Sequence, residues 1–412
     1  MLTEWIRLLM GALVFGTTIV ITMVVRSRMH IVGAVIAALG LVVSVAAFGA
    51  LIQRYGTTES MALALFFLFT GVIGGYWITA AALPLLARPE TLTPLPARSP
   101  DYICNERTAV ILLSTAGPER YDARATACNQ RLLVDSGALD VPATAAPFIF
   151  LSEKARYRAI GGVLSADAAA NAIAEKLDDA LSGNECVYQA STAWRPSRPS
   201  LAHTVWDAYR AGIDRIVVVP LGSDESYPIS RAKQALEELR PSAAGVSIRF
   251  APPLWQSTHL ARRLAERIIF VTRNVSADVV GVVLVGEGQP PSWVASHPGW
   301  SEQENYFAQR VRLHLTERGL DEHHIRIGWL EWQLPDVTEV VRHLAALGCM
   351  RVIVAPGMVP LPTLATAIDM EHAIRMARLD EAVSVVTLAP WADDDTVVDV
   401  LAEGVRSVLH SP

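Results

Sequence analysis

The chain has 412 residues, 51% of them apolar, with 35 Lys/Arg against 41 Asp/Glu and a formal net charge of −6. That length exceeds one ordinary domain, and interspersed acids and bases with no Lys/Arg-rich block exclude a nucleic-acid partner. The cysteines, Cys104, Cys128, Cys186 and Cys349, form no CxxC pair and no zinc spacing, so they read as reduced thiols of a cytosolic compartment.

The apolar excess sits at the start. Residues 8–25, 29–53 and 60–87 contain no Asp, Glu, Lys or Arg, and each reaches the ~20 residues that cross a bilayer. A cleaved signal peptide would hold one short apolar core and a cleavage site. Runs in series predict instead three transmembrane helices over residues 1–87. Arg26 and Arg28 in the first loop, with Arg88 and Arg98 after the third span, outweigh Arg7 and Arg54, which Glu4 and Glu59 partly offset. The positive-inside rule then puts the N-terminus outside and the C-terminal domain in the cytosol, in a plasma or inner membrane. Gly33, Ala37 and Gly40, and Gly71, Gly74 and Gly75, predict close helix approach. With no Asp, Glu, Lys or Arg mid-span, the helices read as an anchor or docking surface, not an ion path.

Residues 88–100, with Pro89, Pro94, Pro96 and Pro100, predict a stiff spacer. Beyond it, apolar runs at 109–113, 215–219, 279–285 and 351–355 read as buried strands, with helices such as 166–181 and 302–318 between them. That alternation implies parallel sheets covered on both faces. An internal repeat supports it: Gly212-Ile-Asp-Arg-Ile-Val-Val-Val-Pro220 recurs as Gly348-Cys-Met-Arg-Val-Ile-Val-Ala-Pro356. The fold class is α/β: two Rossmann-like lobes with parallel sheets, residues 101–265 and 266–412, preceded by three transmembrane helices. Ligands of such sheets bind beyond the carboxyl ends of the strands. Four loops, 114–119, 221–227, 286–293 and 357–366, are therefore expected around one cleft.

These loops and their strands carry a family likeness. AVILLSTAGPE at 109–119, RYRAIGG at 156–162, the first repeat with its Ser226 loop, and GWLEWQLP at 328–335 resemble the ferrochelatases and related class II tetrapyrrole chelatases, in order, over residues 105–410. The resemblance implies insertion of a divalent metal into a porphyrin, by a His loop of the form A-H-G-x-P after the first strand of lobe two and an acid after the last repeat strand. Here the first loop reads Gly286-Glu287-Gly288-Gln289-Pro290, so Glu287 stands where the His would be. Thr363 falls at the acid, with Asp369 and Glu371 the nearest carboxylates, and Thr115 stands closest to the family's Tyr.

By this likeness Glu287 and Thr363 are the catalytic candidates, and Glu287 the metal candidate. Thr115, Gly117, Gly288, Gln289, Trp293, Glu331 and Trp332 are candidates for the tetrapyrrole site. Arg156 and Arg158 are candidates for its propionates. A carboxylate is a harder ligand than imidazole, and a weaker base unless burial raises its pKa. No cofactor is required. A divalent metal, Fe²⁺ or Mg²⁺, is expected as substrate, and the cysteine spacing supports no iron–sulfur cluster. Two functions follow. One is a membrane-anchored ferrochelatase-like protein that binds a tetrapyrrole and inserts a divalent metal. The alternative is a catalytically inactive chelatase-fold subunit, a scaffold or regulator of a membrane complex docked through the spans.

Overall fold

The computed structural model describes residues 2–25, 30–87, 92–98, 105–181, 183, 185–192, 199–222, 225–357, 361–391 and 394–410. They fall into two compact units: residues 1–89 with 121–159, and residues 90–120 with 160–412.

The first unit is helical. Helices α1 (Leu2–Val24), α2 (His30–Tyr55) and α3 (Thr58–Ala82) are each long and apolar enough to cross a membrane. Helix α1 packs along both others, and glycines set the approach. A Cβ on Gly16 would collide with the Val72 carbonyl, and one on Gly75 with the Leu13 carbonyl. On the α2 side, a Cβ at Gly40 would lie 2.9 Å from the Gly11 carbonyl oxygen. Backbones can come this close only where side chains are absent. Gly74 faces open space, so it takes no part in the seam. Large apolar side chains such as Leu39, Val42, Phe66, Phe69 and Ile73 point outward, as lipid-facing positions do. Arg26, Arg28 and Arg88, on which the expected orientation rests, lie outside the described residues.

Helices α4 (Ala123–Asp135) and α5 (Ala146–Ala159) complete this unit, although they follow the spans by some forty residues of sequence. An apolar patch joins them, with Val20, Val24, Ala80 and Leu83 against Ala127, Ala146 and Phe150. Polar side chains finish the join. The last carbonyls of a helix have no partner within it. Tyr121 Oη donates to Val24 O at 2.5 Å, Lys154 Nζ to Thr22 O at 3.0 Å, and Arg131 Nη1 to Ala87 O at 2.9 Å. A cation at a helix C-terminus is also favoured by the helix dipole. Lys154 is only 3% exposed, and burial, with the Arg158 charge, brings its pKa down to about 8.

The second unit is a duplicated α/β fold. Its first lobe runs β1 (Asn105–Ser114), α6 (Ala166–Leu181), β2 (Glu185–Ser191), α7 (Leu201–Arg210), β3 (Ile213–Pro220), α8 (Tyr227–Glu238), β4 (Ser247–Phe250) and α9 (Thr258–Thr272). The second runs β5 (Val280–Gly286), α10 (Pro291–Ser296), α11 (Gly299–Glu317), β6 (Ile325–Trp329), α12 (Val337–Ala346), β7 (Arg351–Pro356), α13 (Met370–Met376), β8 (Ser384–Thr387) and α14 (Asp395–Leu409). Both sheets are parallel, with orders β2-β1-β3-β4 and β6-β5-β7-β8. The sequence repeat is a structural one. Pro220 pairs with Leu113, and Pro356 with Val285, at the same rung of each sheet. In both lobes the next residue closes the ladder, Leu221 N donating to Leu113 O and Gly357 N to Val285 O. A proline is tolerated there because the ladder is ending.

Residues 92–98 of the Pro-rich segment form neither helix nor strand and are laid on lobe one. Leu95 enters the core of that lobe. Trp206 Nε1 donates to Thr93 O at 3.0 Å and Tyr209 Oη to Pro96 O at 2.6 Å. Arg98 stacks 3.6 Å over the Tyr209 ring and pairs with Asp214 at 2.7 Å. At the other end of the chain, α14 crosses back to pack on α6 and α9. Asp394 caps it, accepting from Thr396 N and from Arg263.

Candidate functional site

The order β2-β1-β3-β4 reverses direction between β1 and β3, and the second sheet does the same between β5 and β7. Loops diverge at such switch points and leave a crevice beyond the strand ends. Here both crevices open on one cavity of about 130 Å³. Lobe one lines it with Ser114, Thr115, Ala116, Leu221, Gly222, Ser226 and Pro228. Lobe two supplies Glu287, Gly288, Gln289, Trp293, Trp300, Glu304, Leu361 and Thr363. Residues 223–224 and 358–360 of two of the loops lie outside the described residues.

Glu287 is held between two glycines for steric reasons. A Cβ on Gly286 would strike the indole of Trp329, and one on Gly288 would strike the Glu331 carbonyl oxygen. Gly288 also has φ +86°, a conformation that other residues rarely adopt. The backbone of the following segment fixes the loop: Leu330 N donates to Gly286 O and Glu331 N to Glu287 O, both at 3.0 Å.

From the opposite loop, Thr363 Oγ1 donates to Glu287 Oε1 at 2.5 Å. Thr363 is itself fixed by a reciprocal cap: Thr366 N donates to its Oγ1 at 3.1 Å, and Thr363 N donates to Thr366 Oγ1 at 2.9 Å. The helix so capped begins with π-helical turns over Ala365–Asp369, a geometry seen often at functional sites. Gln289 is 3% exposed. Its Nε2 donates to His297 O at 3.4 Å, and its Oε1 has no hydrogen-bond partner. Trp293 stacks on Tyr227 with ring centres 4.9 Å apart, and Trp300 lies 5.7 Å from Trp329.

Glu304 enters from α11. Burial, and then the charge of Glu287, push its pKa up to about 8. Among the described residues no lysine or arginine lines the cavity. A carboxyl that holds a proton into the neutral range, beside a second carboxyl, can serve as a general acid or base near pH 7.

A sequence model of the ferrochelatase family matches residues 107–409. The chain belongs to the ferrochelatase family. It is 24% identical over 305 residues to the ferrochelatase of Geotalea uraniireducens (strain Rf4), covering 67% of this chain and 88% of that protein. To the ferrochelatase of Geobacter sp. (strain M21) it is 23% identical over 297 residues, covering 68% and 89%. Among solved structures it is similar to SirB from Bacillus subtilis with Fe³⁺ (14% identity, TM-score 0.44, 74% of this chain and 96% of that one). CbiX, whose structure is described as the terminal enzyme for siroheme biosynthesis in denitrifying bacteria, gives 14% identity and a TM-score of 0.40, over 73% and 99% of the two chains.

In this ferrochelatase-family domain the candidates read from sequence separate into three groups. Glu287, Thr363, Thr115, Gly288, Gln289 and Trp293 all line the cavity. Gly117, Glu331 and Trp332 are not among the lining residues. Glu331 serves the loop through its backbone, and Trp332, at φ +66° and 44% exposed, turns outward. Arg156 and Arg158 belong to the other compact unit, on α5, where Arg156 donates to Glu153 at 3.3 Å. Of the neighbouring carboxylates, Asp369 ends the π-helical segment, and Glu371 pairs with Arg375 on the surface at 3.2 Å. Three lining residues fall outside the loops and candidates read from sequence: Pro228, Trp300 and Glu304. For the last two the signal was present: Trp300, Phe307, Ala308, Val311 and Leu315 form the buried stripe of α11, and position 304 falls on that stripe. An acid on an apolar helix face is a buried carboxyl in waiting.

Proposed function

We propose that this protein binds a tetrapyrrole in the crevice between its two lobes, beside the bilayer, and exchanges pyrrole protons for a divalent metal there. The observation that carries the reading is the convergence of four strand-end loops on Glu287, at the position of the family's metal-site residue, within a chain that matches the family from 107 to 409. Insertion of one divalent ion releases two N–H protons. Glu287, oriented by Thr363, is the group proposed to meet the metal. Glu304 is proposed to take up the two protons one at a time and to pass each to solvent, since its pKa of about 8 lets it hold and release a proton near neutrality. Apolar helices fused to the domain keep it where apolar macrocycles partition. The cavity, at about 130 Å³, is smaller than the ~300–1,000 Å³ usual for small-molecule sites. A macrocycle therefore enters only if the loops or lobes move apart.

That small volume, with a carboxylate in place of imidazole, also favours a second reading: a chelatase fold that has lost turnover and serves a membrane complex. One experiment separates the two. Full-length protein in detergent is mixed with Fe²⁺ and protoporphyrin or coproporphyrin, and the Soret band is followed. Metalloporphyrin formation that collapses in Glu287→Ala supports the enzyme. No turnover and no Soret shift leaves the scaffold, which co-purification of a membrane partner would support directly.

A further inference from the structure

We infer that the cavity binds a hard divalent cation of the Mg²⁺ or Mn²⁺ class on an all-oxygen set: the carboxylates of Glu287 and Glu304 and the side-chain oxygen of Gln289. The purpose of such a site rests on the chelatase reading, where it names the class of metal handled. Its geometry does not.

The donors arrive from separate parts of lobe two, Glu287 and Gln289 from the loop after β5 and Glu304 from α11, and they line one small cavity. Gln289 is the independent sign that a ligand belongs there. It is 3% exposed and tethered through Nε2 to His297 O, which leaves Oε1 without any partner. Buried polar atoms are normally satisfied, and an orphan calls for an ion or a water. Ser226 Oγ, also on the lining, has no hydrogen-bond partner either. The described lining offers oxygen donors and neither sulfur nor imidazole, so a soft or borderline metal finds no preferred donor. Mg²⁺ and Mn²⁺ take carboxylate and carbonyl oxygens, and Mg²⁺ keeps several of its waters when it binds to one or two carboxylates. At ~30 Å³ of liquid volume per water, a cavity of about 130 Å³ accepts a partly hydrated ion.

The test uses full-length protein in detergent with no tetrapyrrole present. Tb³⁺ is titrated while tryptophan is excited, since Trp293 and Trp300 line the same cavity and would sensitise a bound lanthanide. Saturable emission that Mg²⁺ or Mn²⁺ displaces is expected. Glu304→Gln, Glu287→Gln and Gln289→Leu are each expected to weaken it at least ~10-fold. Glu304→Asp, which keeps the carboxylate, should retain more of it, and the surface variant Glu371→Gln should leave the curve unchanged. Because a buried substitution can unfold the domain, Mn²⁺ bound to the unaltered protein is also examined by pulsed electron paramagnetic resonance, where an imidazole-free oxygen shell shows no coupling to histidine nitrogen. Absence of saturable emission, histidine coupling, or wild-type titration by folded Glu304→Gln would each overturn the proposal. A porphyrin Soret measurement stands apart from this one. A Soret shift without Tb³⁺ binding removes only the cation site, and Tb³⁺ binding without a Soret shift removes only the tetrapyrrole.

Discussion

Replacing Glu304 by glutamine should flatten the pH dependence of stability. In the folded chain burial and the Glu287 charge raise its pKa to about 8, against 4.5 for an exposed glutamate. Between those values the folded protein holds a proton that the unfolded chain has released. Stability contributed by this group is therefore complete below about pH 4.5 and lost as pH rises through about 8. The difference corresponds to at most about 5 kcal/mol. Glutamine presents a similar neutral shape without the titration, so Glu304→Gln should be more stable than wild type at alkaline pH and close to it at acidic pH. Glu287→Gln should remove only part of the slope, because burial is the larger cause. Thermal unfolding of the metal-free, detergent-solubilised chain, followed by tryptophan fluorescence across this range, reads the effect. A Glu304→Gln protein that keeps the wild-type slope would refute the placement of that carboxyl in the cavity wall beside Glu287.

Other expectations follow from single contacts. Gly75→Ala puts a Cβ onto the Leu13 carbonyl and should cost about 1–3 kcal/mol as overpacking, seen as a lower melting temperature of the helical unit. Tyr121→Phe removes the 2.5 Å bond to Val24 O and should cost about 0.5–1.5 kcal/mol, with faster amide exchange at the end of α1. Thr363→Val removes both the cap and the bond to Glu287, a loss of about 1 kcal/mol. Thr363→Ser should restore most of it, and thermal melts of the pair check this.

The strands that sequence shows best are those buried on both faces. In β3 and β5 nearly every residue is buried, so their apolar runs are continuous. Strands β4 and β8 are short and largely exposed at the sheet edges, and β2 is half-buried along most of its length. Such strands have no continuous run to find. The glycine-flanked Glu287 was legible because steric need leaves a mark in sequence. Glu304 is less legible, since helix α11 carries three glutamates and only the phase of the helix marks this one as inward. Nothing in local sequence says that residues 121–159 pack on the spans. That join depends on tertiary contacts such as Lys154 to the Thr22 carbonyl, which no periodicity announces.

The backbone passes between the two compact units after residues 89, 120 and 159. Proteolysis within 88–100 would cut the covalent link between residues 1–89 and the α/β half, yet the two fragments would stay associated through the noncovalent packing of residues 121–159 on α1 and α3. A shortened chain beginning at residue 101 would still carry α4 and α5 but would lack the carbonyls that Tyr121 and Lys154 satisfy. The apolar faces of both helices would lie bare to water, a contiguous patch of the kind that drives aggregation. To obtain a water-soluble version, the stretch 121–159 has to be excised or redesigned together with the first 89 residues. The compact unit that holds the three apolar helices is thus encoded in two separated pieces of the chain.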